Sequence, residues 1–193
     1  MNSYPIVFDV NRPTSMSRAH VFLRLLLVLL LSCVIGAGGG LVLIYLGVPV
    51  AAAIFIARMG GDRYVVESGE RTSRWLANVV GLLAYLAFLT DELPGDNAHV
   101  QLRVLSSGTP TVSSALMRLV RAIPSALVLG LLSIVSGIVG FIAALSILIL
   151  GSCPAGCWRF QLGIVRWEAR LLGYLASVVE TYPPFSFDTQ PAN

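Results

Sequence analysis

Two long apolar runs constrain the fold of this chain more than any other feature. From Val21 to Ala57 the only charged residue is Arg24, and from Ala122 to Leu150 no residue is charged. As a single helix the first run would measure roughly 55 Å, whereas the hydrocarbon core of a bilayer is about 30 Å thick. Because one helix would overshoot the bilayer, the first run is predicted to fold back on itself.

The turn of the first run is expected at the glycine cluster Gly36–Gly40. Glycine costs most in the interior of a helix and helps most in a tight turn. We therefore predict a transmembrane hairpin over about 20–57, made of two short helices at about 20–35 and 41–57.

The second apolar run is shorter and carries small residues at its middle, namely Ser133, Ser136, Gly137 and Gly140. By analogy with the first run, a second hairpin is predicted over about 116–151. One tilted span is the alternative, because the run is short enough to cross a bilayer once.

The composition agrees with a membrane location. Hydrophobic residues make up 56% of the 193 residues and charged residues only 12%, with a mean hydropathy of +0.81, which excludes a soluble single-core domain. Met1 to His20 contains Asp9 and Pro13, so it does not resemble a cleaved signal, and the first run is expected to remain in the mature protein. The chain is predicted to be an all-α integral membrane protein.

The net charge of +3 comes from arginine alone, with no lysine in the chain. The guanidinium group suits phosphates and carboxylates, so this bias fits lipid headgroups or a buried protein partner. A GC-rich genome would give the same bias. Nothing in this pattern indicates binding to nucleic acid.

Two amphipathic helices follow the apolar runs. The first is predicted over about 71–90 and the second over about 158–180, each with apolar residues at helical spacing on one face. Both are expected to lie at the membrane interface, because tryptophan and tyrosine favour the headgroup level. The two apolar faces consist of Trp75, Val79, Leu82, Leu86 and Leu89, and of Trp167, Leu171, Tyr174, Leu175 and Val178.

The order of these segments occurs twice, which indicates an internal duplication. An alternating extended segment opens each half, at Tyr4–Val10 and at His99–Leu105, and Arg24 and Arg118 each stand near the start of an apolar run. We predict two tandem units, 1–95 and 96–193, with four transmembrane helices in total. The second unit ends in an extended tail, because the residue before a proline favours extended backbone.

All thirteen arginines lie at or outside the base of the predicted hairpins, and the predicted tips carry none. The positive-inside rule then places both termini and the amphipathic helices in the cytoplasm of a multi-pass protein of the inner (plasma) membrane.

A family resemblance rests on the residues that close the chain. Arg166-Trp167, Arg170, Tyr174 and the sequence Tyr182-Pro-Pro-Phe-Ser186, together with Thr90-Asp91 in the first half, resemble the DUF4389 family, bacterial membrane proteins with a domain of unknown function. The resemblance implies a membrane protein with the unit present twice over nearly the whole chain, and it implies no activity. Gly151-Ser-Cys-Pro154 departs from the usual Gly-Arg-Tyr-Pro of that family.

Few residues suggest chemistry. The two histidines, His20 and His99, are expected to be polar interface residues, since a metal site would require both units to bring them together with a carboxylate. Cys153 and Cys157 are one residue too far apart for a thioredoxin-type pair. We expect no enzyme activity, no metal and no cofactor.

The leading hypothesis is a non-catalytic accessory or scaffolding subunit, packed against a larger inner-membrane protein complex such as an energy-transducing one. The first alternative is a self-associating protein, a homo-oligomer included, that binds or shapes lipid; the second is a small-solute transporter or channel. Transporters usually require intramembrane polar groups, of which this sequence offers few. The residues proposed to contact a partner or lipid are Arg24, Arg118, Arg166, Trp167, Arg170, Tyr174, Tyr182, Pro183, Pro184 and Phe185.

Overall fold

The computed structural model describes residues 4–35, 39–95, 100–106 and 108–187. The chain is mostly helical, as predicted. The described elements are β1 (Ile6–Val10), α1 (Arg18–Ile35), α2 (Gly39–Met59), the one-turn α3 (Gly61–Arg63), a π-helical turn (Tyr64–Ser68), α4 (Gly69–Leu86), β2 (Val100–Val104), α5 (Val112–Leu150) and α6 (Ala155–Leu175).

The two predicted extended segments pair with each other as an antiparallel two-stranded sheet. Phe8 lies opposite Leu102 at its centre, and the end pairs are Ile6 with Val104 and Val10 with Val100. The sequence predicted both strands and the alternation of buried and exposed residues in β1, but not their pairing. The central pair, Phe8 and Leu102, is separated by 94 residues in the sequence. The same separation relates Arg24 to Arg118.

Two helices occupy the first apolar run, on either side of the predicted tip. α1 ends at Ile35 and α2 begins at Gly39. The tip residues 36–38 lie outside the described residues. α2 continues through Pro49 to Met59 and ends before Gly60, whose backbone has a φ of 85°.

The predicted second hairpin over 116–151 is wrong, because α5 is one unbroken helix of 39 residues. Thr111 and Ser114 form a reciprocal capping box at its N-terminus, and Gly151 in the left-handed conformation ends it. Its interior glycines are scattered, unlike Gly36–Gly40, and each costs only about 1 kcal/mol in a helix. An apolar environment favours continuous backbone hydrogen bonding over a turn, so the helix persists.

Among the described residues, α5 is the one helix that is long and apolar enough to cross a membrane, with a mean hydropathy of 2.5. Only 17% of its most apolar window is buried, whereas the core helix of a soluble protein would be mostly buried. The segments Leu43–Met59 and Gly61–Leu86 meet the same criteria only together, as a pair bent by 118°. The predicted count of four transmembrane helices is not confirmed.

The second amphipathic helix, predicted over 158–180, is α6, and it lies at the centre of the protein. Its residues are buried on almost every side, because α5, α4, α2 and β1 all pack against it. The protein itself thus covers most of this helix, and its expected position at the membrane interface stays a prediction. Gly173 allows β1 to approach α6 closely, since a Cβ atom there would collide with the side chain of Ile6.

The first amphipathic helix, predicted over 71–90, is α4, and it packs on α6 through Leu76, Val80 and Ala84. The predicted apolar face is displaced by one residue from this buried face, and Trp75 on the predicted face is 40% exposed. Arg71, Arg74 and Asn78 are exposed, whereas Gly81 is buried. α4 therefore has two apolar faces, one packed on the core and one partly open.

Candidate functional site

The residues singled out in the sequence converge on two reversals of the chain, which we call corners. The first corner is residues 87–91, after α4, and the second is residues 176–180, after α6. In the second corner, the N–H of Ala176 bonds to the carbonyls of Leu172 and Tyr174, and Ser177 has a φ of 58°. This turn presents backbone carbonyls to the neighbouring helix α5.

Arg118 of α5 binds the second corner. Its Nη1 donates to the carbonyls of Tyr174 and Val179, both at 2.6 Å. Its guanidinium carbon lies 4.7 Å from the centroid of the Tyr174 ring, which is within the range of a cation–π contact. One side chain therefore connects the start of the long apolar helix to the end of α6.

Arg24 of α1 binds the first corner in the same way. Its Nε donates to the carbonyl of Tyr85 at 2.7 Å, and its Nη2 donates to the carbonyl of Thr90 at 2.6 Å and to Asp91 at 2.9 Å. The guanidinium stacks over the rings of Tyr85 and Phe88, and Phe88 has a φ of 60°. The left-handed residue thus follows the tyrosine by three positions in both corners.

Arg24 and Arg118 are 1% and 4% exposed, so they are internal residues. Folding brings each of them backbone acceptors that the sequence does not reveal. The acid of each corner bonds to the loop ahead of the apolar helix: Asp91 accepts from the N–H of Ser17, and Glu180 accepts from the N–H of Thr109.

An aromatic donor from the opposite half also bonds to each corner. The hydroxyl of Tyr64 donates to the carbonyl of Ala176 at 2.6 Å, and Nε1 of Trp158 donates to the carbonyl of Leu89 at 3.2 Å. Burial raises the pKa of Tyr64, so its hydroxyl remains a donor at neutral pH. These two donors are 94 residues apart, like the two arginines.

The tail after the second corner lies on the protein itself. The hydroxyls of Tyr182 and Ser125 are 2.6 Å apart, and the Tyr182 ring packs edge-on against Tyr174. Phe185 packs edge-on against Trp167, with the ring centroids 5.2 Å apart. Pro183 is buried and Pro184 is partly buried.

Most of the residues predicted to contact a partner or lipid also make contacts within the chain, and their role stays a prediction. Phe185, which packs against Trp167, is still 56% exposed. Trp167 is buried, and its Nε1 has no acceptor among the described residues.

The predicted arginines of α6 also make internal contacts. Arg166 donates to the carbonyl of Phe8 at 3.1 Å and to Asp9 at 2.8 Å. Arg170 donates to the carbonyl of Ser186 at 3.0 Å and is 4% exposed. Together they attach β1 and the tail to the central helix.

α5, α6, the second corner and the tail form one continuous unit of strand-free structure, and a known family model matches it. Residues 113–186 match the model of DUF4389, a domain of unknown function. The match confirms the resemblance for this part of the chain. The expected second copy in the first half is not found by the comparison. No curated protein and no solved structure matches the chain.

The residues considered for metal or redox chemistry are the two histidines and the pair Cys153 and Cys157. His20 Nδ1 lies 3.0 Å from the hydroxyl of Tyr85, and His99 lies outside the described residues. Within the described part of the chain, no group of three or more His, Cys, Asp or Glu side chains could hold a metal ion. Cys153 is a buried free thiol whose pKa is raised to about 11 by burial and, secondarily, by Cys157.

Sequence reasoning missed Glu168, which lies within the DUF4389 region on α6. Burial raises the pKa of its carboxyl group to about 7, and it has no hydrogen-bond or ion-pair partner among the residues that the structure describes. It interacts electrostatically with Tyr45 of α2. The signal in the sequence is that Glu168 is the single acid of α6 and lies between Arg166 and Arg170. Its proximity to α2 depends on the tertiary structure.

A cavity was also missed. It lies between α2 and the start of α4, and its lining includes Arg71 and Trp75. The sequence placed Trp75 on the apolar face of an interfacial helix and could not predict that α2 would supply the other wall.

Proposed function

We propose that this protein is a non-catalytic integral membrane protein that serves as an accessory or scaffolding subunit of a larger inner-membrane complex. The observation that carries the proposal is a line of exposed small residues on α5, formed by Gly130, Ser133 and Gly137. A Cβ atom at either glycine would meet nothing within 4 Å. Small residues at this spacing allow the backbone of another membrane helix to approach closely.

Large apolar side chains flank this line and are strongly exposed. Leu127, Leu131, Ile134 and Ile138 are each at least 60% exposed. Lipid alone could cover these side chains, but small residues between them give no advantage against lipid tails. A helix of a second protein would use both the close approach and the apolar flanks.

The length of the charge-free part of α5 also supports a protein partner. The residues from Ala122 to Leu150 rise about 44 Å, and fitting them into a hydrocarbon core of about 30 Å requires a tilt of about 45°. Membrane helices are usually tilted by about 0–40°. Protein contacts at one end of the helix would remove the need for so steep a tilt.

α1 supports the membrane location. Leu25, Leu26, Val28 and Leu31 are all exposed, and they point in different directions around the helix. A helix that is apolar all round requires a buried or lipid environment. The positive-inside arrangement with both termini in the cytoplasm remains part of the proposal.

We also propose that residues 1–95 are a diverged copy of the DUF4389 unit. The equivalent bonds of Arg24 and Arg118, the left-handed residues at Phe88 and Ser177, and the symmetric register of β1 and β2 support this duplication. In the first copy the long helix is divided into α1 and α2.

Copurification of the full chain from its native membranes in mild detergent tests the subunit proposal. We expect a stoichiometric partner with the wild type and its loss with Gly137→Leu, which introduces bulk on the exposed side of α5. The matched control is Gly47→Leu on α2, where a Cβ atom also meets nothing within 4 Å. Recovery of self-association only, or equal loss in both variants, would refute the proposed interface.

A further inference from the structure

The cavity between α2 and α4 has the shape and polarity of a lipid site. Its volume is about 260 Å³. α2 provides an apolar wall that includes Val48, Ala51 and Phe55, and α4 provides Trp75 on the opposite side. Phe55 is 46% exposed and Trp75 40% exposed, so the apolar end opens to the outside of the protein.

Three polar side chains, Ser68, Arg71 and Thr72, also line the cavity. Hydroxyl groups and a guanidinium are donors suited to phosphate oxygens, and arginine binds phosphate with a planar pair of N–H groups. The cavity therefore combines an apolar wall with donors for a phosphate, which is the chemistry of a phospholipid.

Arg71 differs from the neighbouring arginine of α4 in having no carboxylate partner among the described residues. Arg74 lies 3.8 Å from Glu70 on the same helix. Arg71 is exposed and lines the cavity. Its positive charge is thus available to an anion.

The cavity lies where an apolar helix meets a more polar segment. It lies at the C-terminal end of the apolar helix α2, where the chain bends by 118° into the segment that contains α4. Beyond this bend the residues become polar. Tryptophan favours this boundary between hydrocarbon and water, and Trp75 occupies it here.

We propose that this cavity binds one anionic phospholipid, with the phosphate at Arg71, Ser68 and Thr72 and the upper part of one acyl chain against α2. The remainder of the acyl chain would lie along the outer side of α2, where Val50 and Ile54 are exposed. The site is independent of the proposed partner surface on α5, so either proposal can fail without the other.

The test uses the full chain in mild detergent, with lipid binding followed by native mass spectrometry and by the thermal unfolding temperature. Phosphatidylglycerol is expected to bind and to raise the unfolding temperature, and phosphatidylcholine is expected to do so less. Arg71→Gln should weaken binding of phosphatidylglycerol by about fivefold, the effect of removing one arginine near an anionic surface. Arg74→Gln, with the same loss of charge one turn along, should bind as the wild type does.

Two further arms separate the lipid from a free anion and from a folding defect. Inorganic phosphate is expected to produce no shift, and Ala51→Phe, which fills the apolar end, should weaken binding of the lipid. The unfolding temperature of Arg71→Gln without lipid should equal that of the wild type. Equal weakening by Arg71→Gln and Arg74→Gln, or a full shift with phosphate alone, would overturn the assignment.

Discussion

Replacing Arg118 tests the physical role of the corners. Arg118→Met keeps the length and apolar stem of the side chain but removes both bonds to the carbonyls of Tyr174 and Val179. Tyr174 retains a bond from the N–H of Ser177 at 3.1 Å, so the carbonyl of Val179 suffers the greater loss. We expect the second corner to loosen while α5 and α6 remain helical.

The magnitude follows from the contacts. Hydrogen bonds to a charged donor contribute about 1.5–3 kcal/mol each, and the stacking on Tyr174 adds about 1 kcal/mol. Methionine avoids the cost of burying a charge, which offsets part of this loss. A net loss of about 3 kcal/mol is expected, corresponding to a decrease of about 6–12 °C in unfolding temperature for a chain of this size.

Thermal unfolding in detergent measures the global effect, and hydrogen exchange at the amides of residues 177–180 measures the local one. The matched control is Arg121→Met, because Arg121 lies one turn along the same helix and is exposed. It should cost less than about 0.5 kcal/mol. Arg118→Lys should fall between them, since an ammonium group cannot reproduce the planar arrangement of donors. Equal shifts for Arg118→Met and Arg121→Met would refute the role of the corner.

Three further predictions concern α6 and its contacts. Burial raises the pKa of Glu168 to about 7 in the folded protein, against 4.5 in an unfolded chain. The folded state therefore keeps the carboxyl proton up to a higher pH than the unfolded state does. Stability should therefore fall by about 2 kcal/mol as the pH rises from about 4.5 to 7, and Glu168→Gln should remove this dependence in unfolding measured across that range. Ser177→Gly should stabilise the protein by about 1 kcal/mol, since Ser177 combines a positive φ with a buried hydroxyl that has no partner among the described residues, and a lower melting temperature would contradict this. Gly173→Ala should destabilise by about 1–3 kcal/mol through collision with Ile6, and Ile6→Val should restore part of the loss in a double-mutant cycle.

Local physics explains what could be predicted. Two helices occupy the first apolar run, on either side of a cluster of four glycines that favours a turn. The alternation in Ile6–Val10 and the presence of the two amphipathic helices, α4 and α6, also follow from side-chain periodicity. Each of these predictions depends on residues within one segment.

The second apolar run shows where local reasoning failed. Its glycines and serines suggested a turn by analogy with the first run, yet α5 continues because isolated small residues do not outweigh continuous backbone bonding in an apolar setting. The helix also receives support along one face from α6 and α2, which no local pattern reveals.

The sequence by itself determined a mostly helical chain with apolar runs, amphipathic helices and two short strands, because these depend on periodicity and composition. Only the tertiary structure decided that α6 is the buried centre, that Arg24 and Arg118 bond to the corners, and that the tail lies on its own protein. The physical reason is that backbone carbonyls become acceptors for a distant side chain only after the chain reverses at Phe88 and Ser177. The arginines are visible in the sequence, but their acceptors are backbone carbonyls, which every residue has. Only the fold determines which carbonyls lie within reach of each arginine.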